Sequence, residues 1–262
     1  MKRTQIGALP FSLPRELAEF AEGARIFDSS CSPEARVYFL DKGSGYYLKS
    51  AAKGSLKSEM QLTDYFHSIG LGPRVVGYHS SSGRDLLVTE RMRGEDCTHP
   101  EHLGDPKRLC DTIAQELRAL HERDPSGCPA ATRTREYVSG AFENYRTGNF
   151  DTSHFPDSFG YSSPEEAIDV LTRGEDKLEQ NVLIHGDYCL PNIMLDGWRP
   201  SGFIDLGNGG IADRHIDLFW GIWTLEFNLG TDAYRERFID AYGRELVDEE
   251  RLRIVAAAEV FG

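Results

Sequence analysis

The sequence predicts an α+β fold in two lobes, with a strand-rich first third and a mainly helical remainder. Short apolar runs separated by turn formers fill the chain up to about residue 92, and apolar residues recur at helical spacing beyond residue 106. We therefore expect an N-terminal lobe over residues 1–92 and a C-terminal lobe over residues 93–262, with the junction near residues 89–97. The 262 residues are enough to bury a large core in two such lobes.

The first lobe is predicted to hold an antiparallel sheet and one helix. Apolar runs at residues 37–40 and 46–49 flank a segment rich in turn formers, which predicts a β-hairpin. Runs at residues 75–78 and 86–89 predict a second strand pair in the same way. Between the two pairs, Leu62, Phe66 and Ile69 recur at helical spacing, and Gly70 ends the pattern.

The second lobe is predicted to be mainly helical with a small sheet inserted. Residues 106–122 place four apolar side chains on one helical face, and residues 135–147 and 164–173 are further candidate helices. Three short apolar runs follow at residues 182–184, 193–195 and 202–204, each next to polar residues, and they predict the inserted strands. From about residue 212 the pattern is again helical.

The distribution of charge argues for a cationic partner. Residues 1–94 carry 13 basic and 10 acidic side chains, whereas residues 95–262 carry 16 basic and 32 acidic ones. An acidic surface of this kind serves solubility, but it also attracts a cationic small molecule and repels nucleic acid. No apolar run is long enough to cross a bilayer and no signal peptide begins the chain, so we expect a cytoplasmic protein that does not bind membranes. The five cysteines include no CxxC pair, which argues against a disulfide framework or a structural zinc site.

The strongest chemical signal lies at residues 185–192, His-Gly-Asp-Tyr-Cys-Leu-Pro-Asn, which follow a short apolar strand. Asp187 and Asn192 are separated by four residues, and Asp205 follows in Ile-Asp-Leu-Gly, 13 residues after the Asn. Phosphoryl transfer needs a carboxylate that orients the attacking hydroxyl, and oxygen ligands that hold magnesium on the phosphates. The spacing is that of the catalytic loop and metal ligand of protein kinases.

Residues 182–217 resemble the aminoglycoside phosphotransferases, especially those acting on the 3′-hydroxyl, through His-Gly-Asp-Tyr-Cys-x-Pro-Asn, Gly-Phe-Ile-Asp-Leu-Gly and Ile-Ala-Asp-Arg. The resemblance implies a protein-kinase-like two-lobe fold. It also implies that Asp187 is the catalytic base and that Asn192 and Asp205 bind Mg²⁺.

The resemblance extends to the nucleotide side of the chain. Lys49, in Tyr-Leu-Lys, matches the phosphate-binding lysine, and Glu59 lies three residues before Leu62, on the apolar face of the predicted helix. An inward carboxylate needs a cation, so we expect a Lys49–Glu59 ion pair. The alternative is a Glu that only faces the helix dipole at the start of the helix.

Four further nucleotide-binding residues are implied by the resemblance. Ser32, in a Ser-Pro loop, would bond a β-phosphate oxygen, and the alternative is an ordinary turn. Tyr47 would stack on the adenine, and backbone groups of Thr89 and Arg91 would bond its edge. The chain lacks the G-x-G-x-x-G loop of protein kinases.

The resemblance also implies substrate-binding residues, most of them at the end of the chain. Glu259 and Phe261 match the acidic residue and Phe of the family's terminus, and Glu226 lies within about one residue of a family acidic position. Gly262 extends the chain one residue beyond the usual Phe, so contact by the terminal carboxylate stays open, as does an exposed Glu with no such role. Leu190 and Asn208 also depart from residues common in relatives.

Four other positions in this region are expected to have structural roles. His185 should bond backbone near the catalytic loop, and Asp217 should tie down the backbone of that loop. Trp220 and Trp223, three residues apart, are interpreted as core residues.

These observations lead to an ATP-dependent aminoglycoside O-phosphotransferase that uses Mg²⁺ and acts as a monomer or weak dimer. A kinase of another small hydroxyl compound, such as choline, a sugar or a macrolide, shares the same motifs. A non-catalytic nucleotide-binding module is the third alternative, and the presence of Lys49, Glu59, Asp187, Asn192 and Asp205 argues against it.

Overall fold

A computed structural model describes residues 3–31, 35–151 and 160–262. The chain divides into two compact units, which we call unit 1 (Met1–Glu101 and Pro191–Gly207) and unit 2 (His102–Leu190 and Asn208–Gly262). Residues 191–207 belong to unit 1 because their strand Ile193–Asp196 pairs with the short strand Glu95–Asp96 of the same unit. The functional division into residues 1–92 and 93–262 stays a prediction.

Unit 1 contains a six-stranded antiparallel sheet in the order β1-β2-β3-β4-β6-β5. Its strands are β1 Thr4–Ile6, β2 Arg25–Asp28, β3 Ala35–Asp41, β4 Tyr46–Ala51, β5 Val75–Ser80 and β6 Asp85–Glu90. Both predicted strand pairs, β3–β4 and β5–β6, are confirmed.

The alternation along these strands gives the sheet two different faces. Tyr38 pairs with Leu48, which pairs with Val88, and all three are buried in a core with Leu17 of helix α1 (Arg15–Ala21). Because neighbouring residues of a strand point to opposite faces, Lys49 lies on the other face of the sheet.

The predicted helix of unit 1 is α2, Lys57–Ser68, and Leu62 and Phe66 are fully buried on its inner face. Two other short helices, α1 and α3 (Pro100–Leu103), were not predicted. They span seven and four residues, too few to show a helical period in the sequence.

The three apolar runs expected to form one inserted sheet belong to two sheets. In unit 1, β9 (Ile193–Asp196) lies between β10 (Arg199–Phe203) and the short β7 (Glu95–Asp96). In unit 2, β8 (Val182–Ile184) pairs with β11 (Gly210–Ala212). The expectation of one insert is wrong because the pairing partners β7 and β11 are too short to be recognised in the sequence.

Unit 2 is mainly helical, as predicted. Its helices are α4 Pro106–His121, α5 Arg133–Thr147, α6 Pro164–Gly174, α7 His215–Leu229, α8 Arg235–Tyr242 and α9 Glu249–Glu259. One core cluster joins α5, α6 and α9, and a second lies between β8, β11, α7 and α9. Within the described residues, no helix is both long enough and apolar enough to cross a membrane.

Candidate functional site

Unit 1 contains a cavity of about 470 Å³, a size that suits a small ligand. Its walls come from the exposed face of the large sheet, from α2 and from the β9–β10 region. The predicted residues that line it are Tyr47, Lys49, Glu59, Thr89, Arg91, Asn192 and Asp205. Ser32, the remaining predicted nucleotide-binding residue, lies outside the described residues.

An ionic cluster of three side chains occupies this cavity. The Lys49 Nζ donates to both carboxylate oxygens of Glu59, at 2.9 and 2.8 Å, and to Oδ1 of Asp205 at 2.6 Å. The predicted contact between Lys49 and Glu59 is therefore present. Glu59 is also an acidic residue in the first turn of α2, so the alternative role facing the helix dipole holds at the same time. The bond from Lys49 to Asp205 was not predicted.

The cluster keeps its lysine charged. Burial by itself would lower the pKa of Lys49, but the Asp205 and Glu59 carboxylates outweigh that effect and raise the pKa. Burial also raises the pKa of Glu59, and the Lys49 ammonium offsets only part of that rise. A lysine held this way is a fixed positive charge suited to phosphate groups.

Asp205 and Asn192 have the properties of magnesium ligands. The Asp205 side chain is 52% exposed, and its backbone adopts φ 58, the left-handed region that non-glycine residues rarely occupy. Asn192 is buried, and its backbone carbonyl oxygen accepts from the backbone N–H of Ile204, next to Asp205, at 3.0 Å.

A carboxylate and an amide oxygen fit Mg²⁺, which takes one or two protein ligands and completes its shell with phosphates and water. No group of three or more His, Cys, Asp or Glu side chains suited to a metal ion occurs among the described residues. Asn192 and Asp205 could supply two of the ligands of Mg²⁺, the others coming from phosphates and water.

The predicted adenine contacts lie on the sheet side of the cavity. Tyr47 packs against Phe39, with ring centroids 5.2 Å apart, and its hydroxyl accepts from the Arg3 guanidinium. Thr89 pairs with Tyr47 across β4 and β6. The backbone N–H of Arg91 donates to the carbonyl of Gly45 at 3.0 Å, so an adenine contact at Arg91 would use its carbonyl oxygen or break this bond.

In unit 2, a buried carboxylate holds the segment that leads to Asp187. Asp217, in the first turn of α7, accepts from the backbone N–H groups of His185 and Gly186, both at 2.7 Å. The predicted support role of Asp217 is confirmed. His185 is buried and its Nδ1 accepts from the backbone N–H of Asp187 at 3.2 Å, which confirms its predicted structural role.

Two further residues fix this arrangement. Burial lowers the pKa of His121 despite the opposing effect of Asp217. Its Nε2 lies 3.2 Å from Asp217 Oδ2, and its Nδ1 lies 2.8 Å from the Tyr242 hydroxyl oxygen. Gly186 has φ +83, and a Cβ there would lie 2.0 Å from the Asn208 carbonyl oxygen. Only glycine fits this position, immediately before Asp187.

Glu259 is a buried carboxylate at the end of α9. It accepts from the Tyr137 hydroxyl and from the Trp220 indole N–H, each at 2.9 Å. Burial raises the pKa of Glu259 to about 7, the two hydrogen bonds lower it, and Asp187 adds to the rise. Sequence reasoning did not identify Tyr137, and it assigned Trp220 only to the core, because neither residue belongs to a chemical motif.

The other substrate-side residues differ in exposure. Glu226 is exposed on α7. The Phe261 ring is fully buried, and its carbonyl accepts from the Asn144 amide at 2.7 Å. Leu190 is fully buried, with its N–H donating to Thr224 Oγ1 at 3.1 Å. The substrate roles of Glu226, Glu259 and Phe261 stay predictions.

Comparison with known proteins gives consistent matches over most of the chain. A family model described as the phosphotransferase enzyme family matches residues 32–255. A chain named as a probable aminoglycoside 3′-phosphotransferase from Lactococcus lactis is 45% identical over 249 residues, covering 95% of each chain. An aminoglycoside 3′-phosphotransferase from Niallia circulans is 30% identical over 72% of each chain.

Solved structures agree with the sequence matches. The crystal structure of an aminoglycoside-3′-phosphotransferase of type VIII has a TM-score of 0.78 at 24% identity, covering 95% of this chain and 100% of that chain. The aminoglycoside phosphotransferase APH(3″)-Id from Streptomyces rimosus, in complex with ADP and streptomycin, has a TM-score of 0.74 at 25% identity, covering 86% of this chain and 90% of that chain.

Proposed function

The chain belongs to the aminoglycoside phosphotransferase family, and we propose that it transfers the γ-phosphate of ATP to the 3′-hydroxyl of an aminoglycoside. The ionic cluster of Lys49, Glu59 and Asp205 in the cavity of unit 1 is the observation that supports ATP as the phosphate donor. In kinases, a lysine held by one carboxylate lies close to a second carboxylate, and together they bind the triphosphate and its metal ion. Lys49, Glu59 and the half-exposed Asp205 have this arrangement.

We propose that the N-terminal lobe, residues 1–92, binds the nucleotide. The C-terminal lobe, residues 93–262, supplies the catalytic base and the substrate contacts. Lys49 neutralises the α- and β-phosphates, and Glu59 keeps its ammonium in place. Tyr47 packs on the adenine, and the segment of Thr89 and Arg91 bonds its edge. Ser32 bonds a β-phosphate oxygen.

Asn192 and Asp205 are the residues that hold Mg²⁺, which neutralises phosphate charge when it is bound. Asp187 accepts the proton of the attacking hydroxyl and orients that oxygen for in-line transfer. The backbone of this segment is fixed by Asp217, so the base is positioned before substrate binds. No phosphoenzyme is needed, because the hydroxyl attacks the γ-phosphoryl group directly.

Two observations favour an aminoglycoside over choline, a simple sugar or a macrolide as the substrate: the acidic charge of this chain and the names of its relatives. Residues 95–262 carry twice as many acidic as basic side chains, and an aminoglycoside carries several ammonium groups. The Lactococcus relative is named as a probable aminoglycoside 3′-phosphotransferase, and the Niallia relative as an aminoglycoside 3′-phosphotransferase. We assign Glu226, Glu259 and Phe261 to substrate binding. We also propose that the protein is a monomer or weak dimer in the cytoplasm, and that its biological role is antibiotic resistance.

The base is tested by replacing Asp187 with Ala and with Asn, and measuring ADP release with kanamycin or neomycin as acceptor. We expect both variants to lose at least about 100-fold in kcat, since general base catalysis contributes about that much or more. Binding of an ATP analogue, measured by calorimetry, should stay within about twofold because the nucleotide contacts are unchanged.

Two results would contradict the proposal in different ways. Near-normal turnover by Asp187→Ala would remove Asp187 as the base. No stimulation of ADP release by either antibiotic, with choline or a macrolide active instead, would leave a kinase of a different substrate.

A further inference from the structure

Helix α7 carries a ladder of aromatic side chains that ends at the surface. Phe227 is 70% exposed and is the one large hydrophobic side chain among the described residues that is exposed. Its ring stacks on Trp223, with centroids 4.9 Å apart and planes 12° from parallel, and Trp223 packs edge-on against Trp220 at 5.3 Å. The three residues are spaced three and four apart, so their rings share one side of the helix.

The inner end of this ladder contacts residues already assigned to the candidate site. Trp220 donates to Glu259 at 2.9 Å. Thr224, on the same side of α7, accepts from the backbone N–H of Leu190, three residues after Asp187. Phe227 follows Thr224 by three residues. It therefore lies within one helical turn of the residue that bonds the segment after Asp187. The ladder therefore runs from residues assigned to the candidate site around Asp187 to the exposed ring of Phe227, all within unit 2.

We propose that Phe227 is a substrate-binding residue on which one amino-sugar ring of the aminoglycoside packs with its C–H face. This inference rests on the proposed function and names the group that binds a ring of the substrate. The pyranose ring has an apolar face, and its ammonium groups are attracted to the aromatic face as well as to a carboxylate. Glu226, exposed and adjacent in sequence, supplies that carboxylate.

The stacking on Trp223 is what makes Phe227 suited to this role. An exposed aromatic side chain that is free to rotate loses conformational entropy when a ligand packs on it, whereas a ring already held in a stack loses less. Trp223 is itself partly buried and held by Trp220, so the face offered to the ligand is fixed in orientation. The excess of acidic over basic side chains in residues 95–262 suits a cationic ring rather than an apolar or anionic partner.

The test compares Phe227→Ala and Phe227→Tyr with the unmodified enzyme in steady-state assays with kanamycin and ATP. Because Phe227 is exposed, its removal should leave folding intact, which circular dichroism and the unfolding temperature would verify. Phe227→Ala should raise the KM for kanamycin about fivefold or more, consistent with loss of an aromatic contact to a cationic ring. The KM for ATP should stay within about twofold, and Phe227→Tyr should restore the KM for kanamycin.

The outcomes separate this inference from the proposed function. An unchanged KM for kanamycin in Phe227→Ala, in an enzyme that phosphorylates kanamycin, would overturn the role of Phe227 and leave the proposed function standing. Loss of a dimer in the same variant with an unchanged KM would assign the aromatic face to a second copy of the chain. If the unmodified enzyme phosphorylated no aminoglycoside, the proposed function would fail, and this inference with it.

Discussion

Replacing Asp217 with Asn should release the backbone that precedes Asp187. The Asp217 carboxylate is completely buried and accepts 2.7 Å hydrogen bonds from the N–H groups of His185 and Gly186, one on each oxygen. An Asn side chain keeps one acceptor oxygen, but its NH₂ group would face the Gly186 N–H in one orientation, and the His185 N–H together with His121 in the other. One buried donor is then left without an acceptor in any orientation of the amide.

The size of the effect follows from these contacts. A hydrogen bond to a charged group contributes about 1.5–3 kcal/mol, and a buried donor without a partner costs about 1–3 kcal/mol. We therefore expect Asp217→Asn to destabilise the local structure at residues 185–186 by about 2–4 kcal/mol. Since about 1.4 kcal/mol corresponds to a factor of ten, local opening should increase by about 30- to 700-fold.

Amide hydrogen exchange measures this opening directly. The exchange rates of the His185 and Gly186 amides should rise by the stated factor, and kcat should fall because Asp187 is no longer fixed. Asp169→Asn is a matched control, because Asp169 is exposed on α6 and pairs with Arg173 at 2.9 Å. That control should change stability by less than about 0.5 kcal/mol. Exchange rates within about threefold of the unmodified protein at both amides would show that Asp217 does not fix this backbone.

Three further predictions follow from other parts of the chain. Gly94→Ala should destabilise the protein by about 3 kcal/mol or more, seen as a lower urea midpoint, because φ is +83 and a Cβ would lie 2.0 Å from the Leu195 carbonyl oxygen. An unchanged midpoint would contradict that steric argument. The pKa of Glu259 is raised by burial from 4.5 to about 7, so its contribution to stability is complete below pH 4.5 and is lost as pH rises through about 7. Glu259→Gln should remove up to about 3 kcal/mol of this pH dependence in urea unfolding, and identical pH profiles would contradict it. Burial raises the pKa of the Cys189 thiol, whereas Cys31 is exposed. Iodoacetamide should therefore modify Cys31 well before Cys189, and the reverse order, read by mass spectrometry, would count against the burial of Cys189.

The parts of the fold that were predicted depend on short-range patterns. The β3–β4 and β5–β6 pairs are close in sequence and flank clear turn segments, and α2 and α4 are long enough to show a helical period. The pairing of β8 with β11, and of β9 with β7, joins segments that are distant in the chain. Such pairing is decided by tertiary packing, so it could not be derived from the pattern of either segment.

The same distinction applies to the candidate site. The Lys49–Glu59 contact was predicted because helical phase places Glu59 on the inner face of α2. The bond from Lys49 to Asp205 joins residues 156 positions apart, and no local pattern could indicate it. The bonds of Tyr137 and Trp220 to Glu259 likewise depend on how α5, α7 and α9 pack.

The central claim is that γ-phosphate passes from ATP to the 3′-hydroxyl of an aminoglycoside. The direct measurement uses γ-labelled ATP with kanamycin and, as the matched acceptor, a kanamycin that lacks the 3′-hydroxyl. We expect label on the first compound and none on the second. Equal labelling of both, or label on neither with ATP bound, would contradict it.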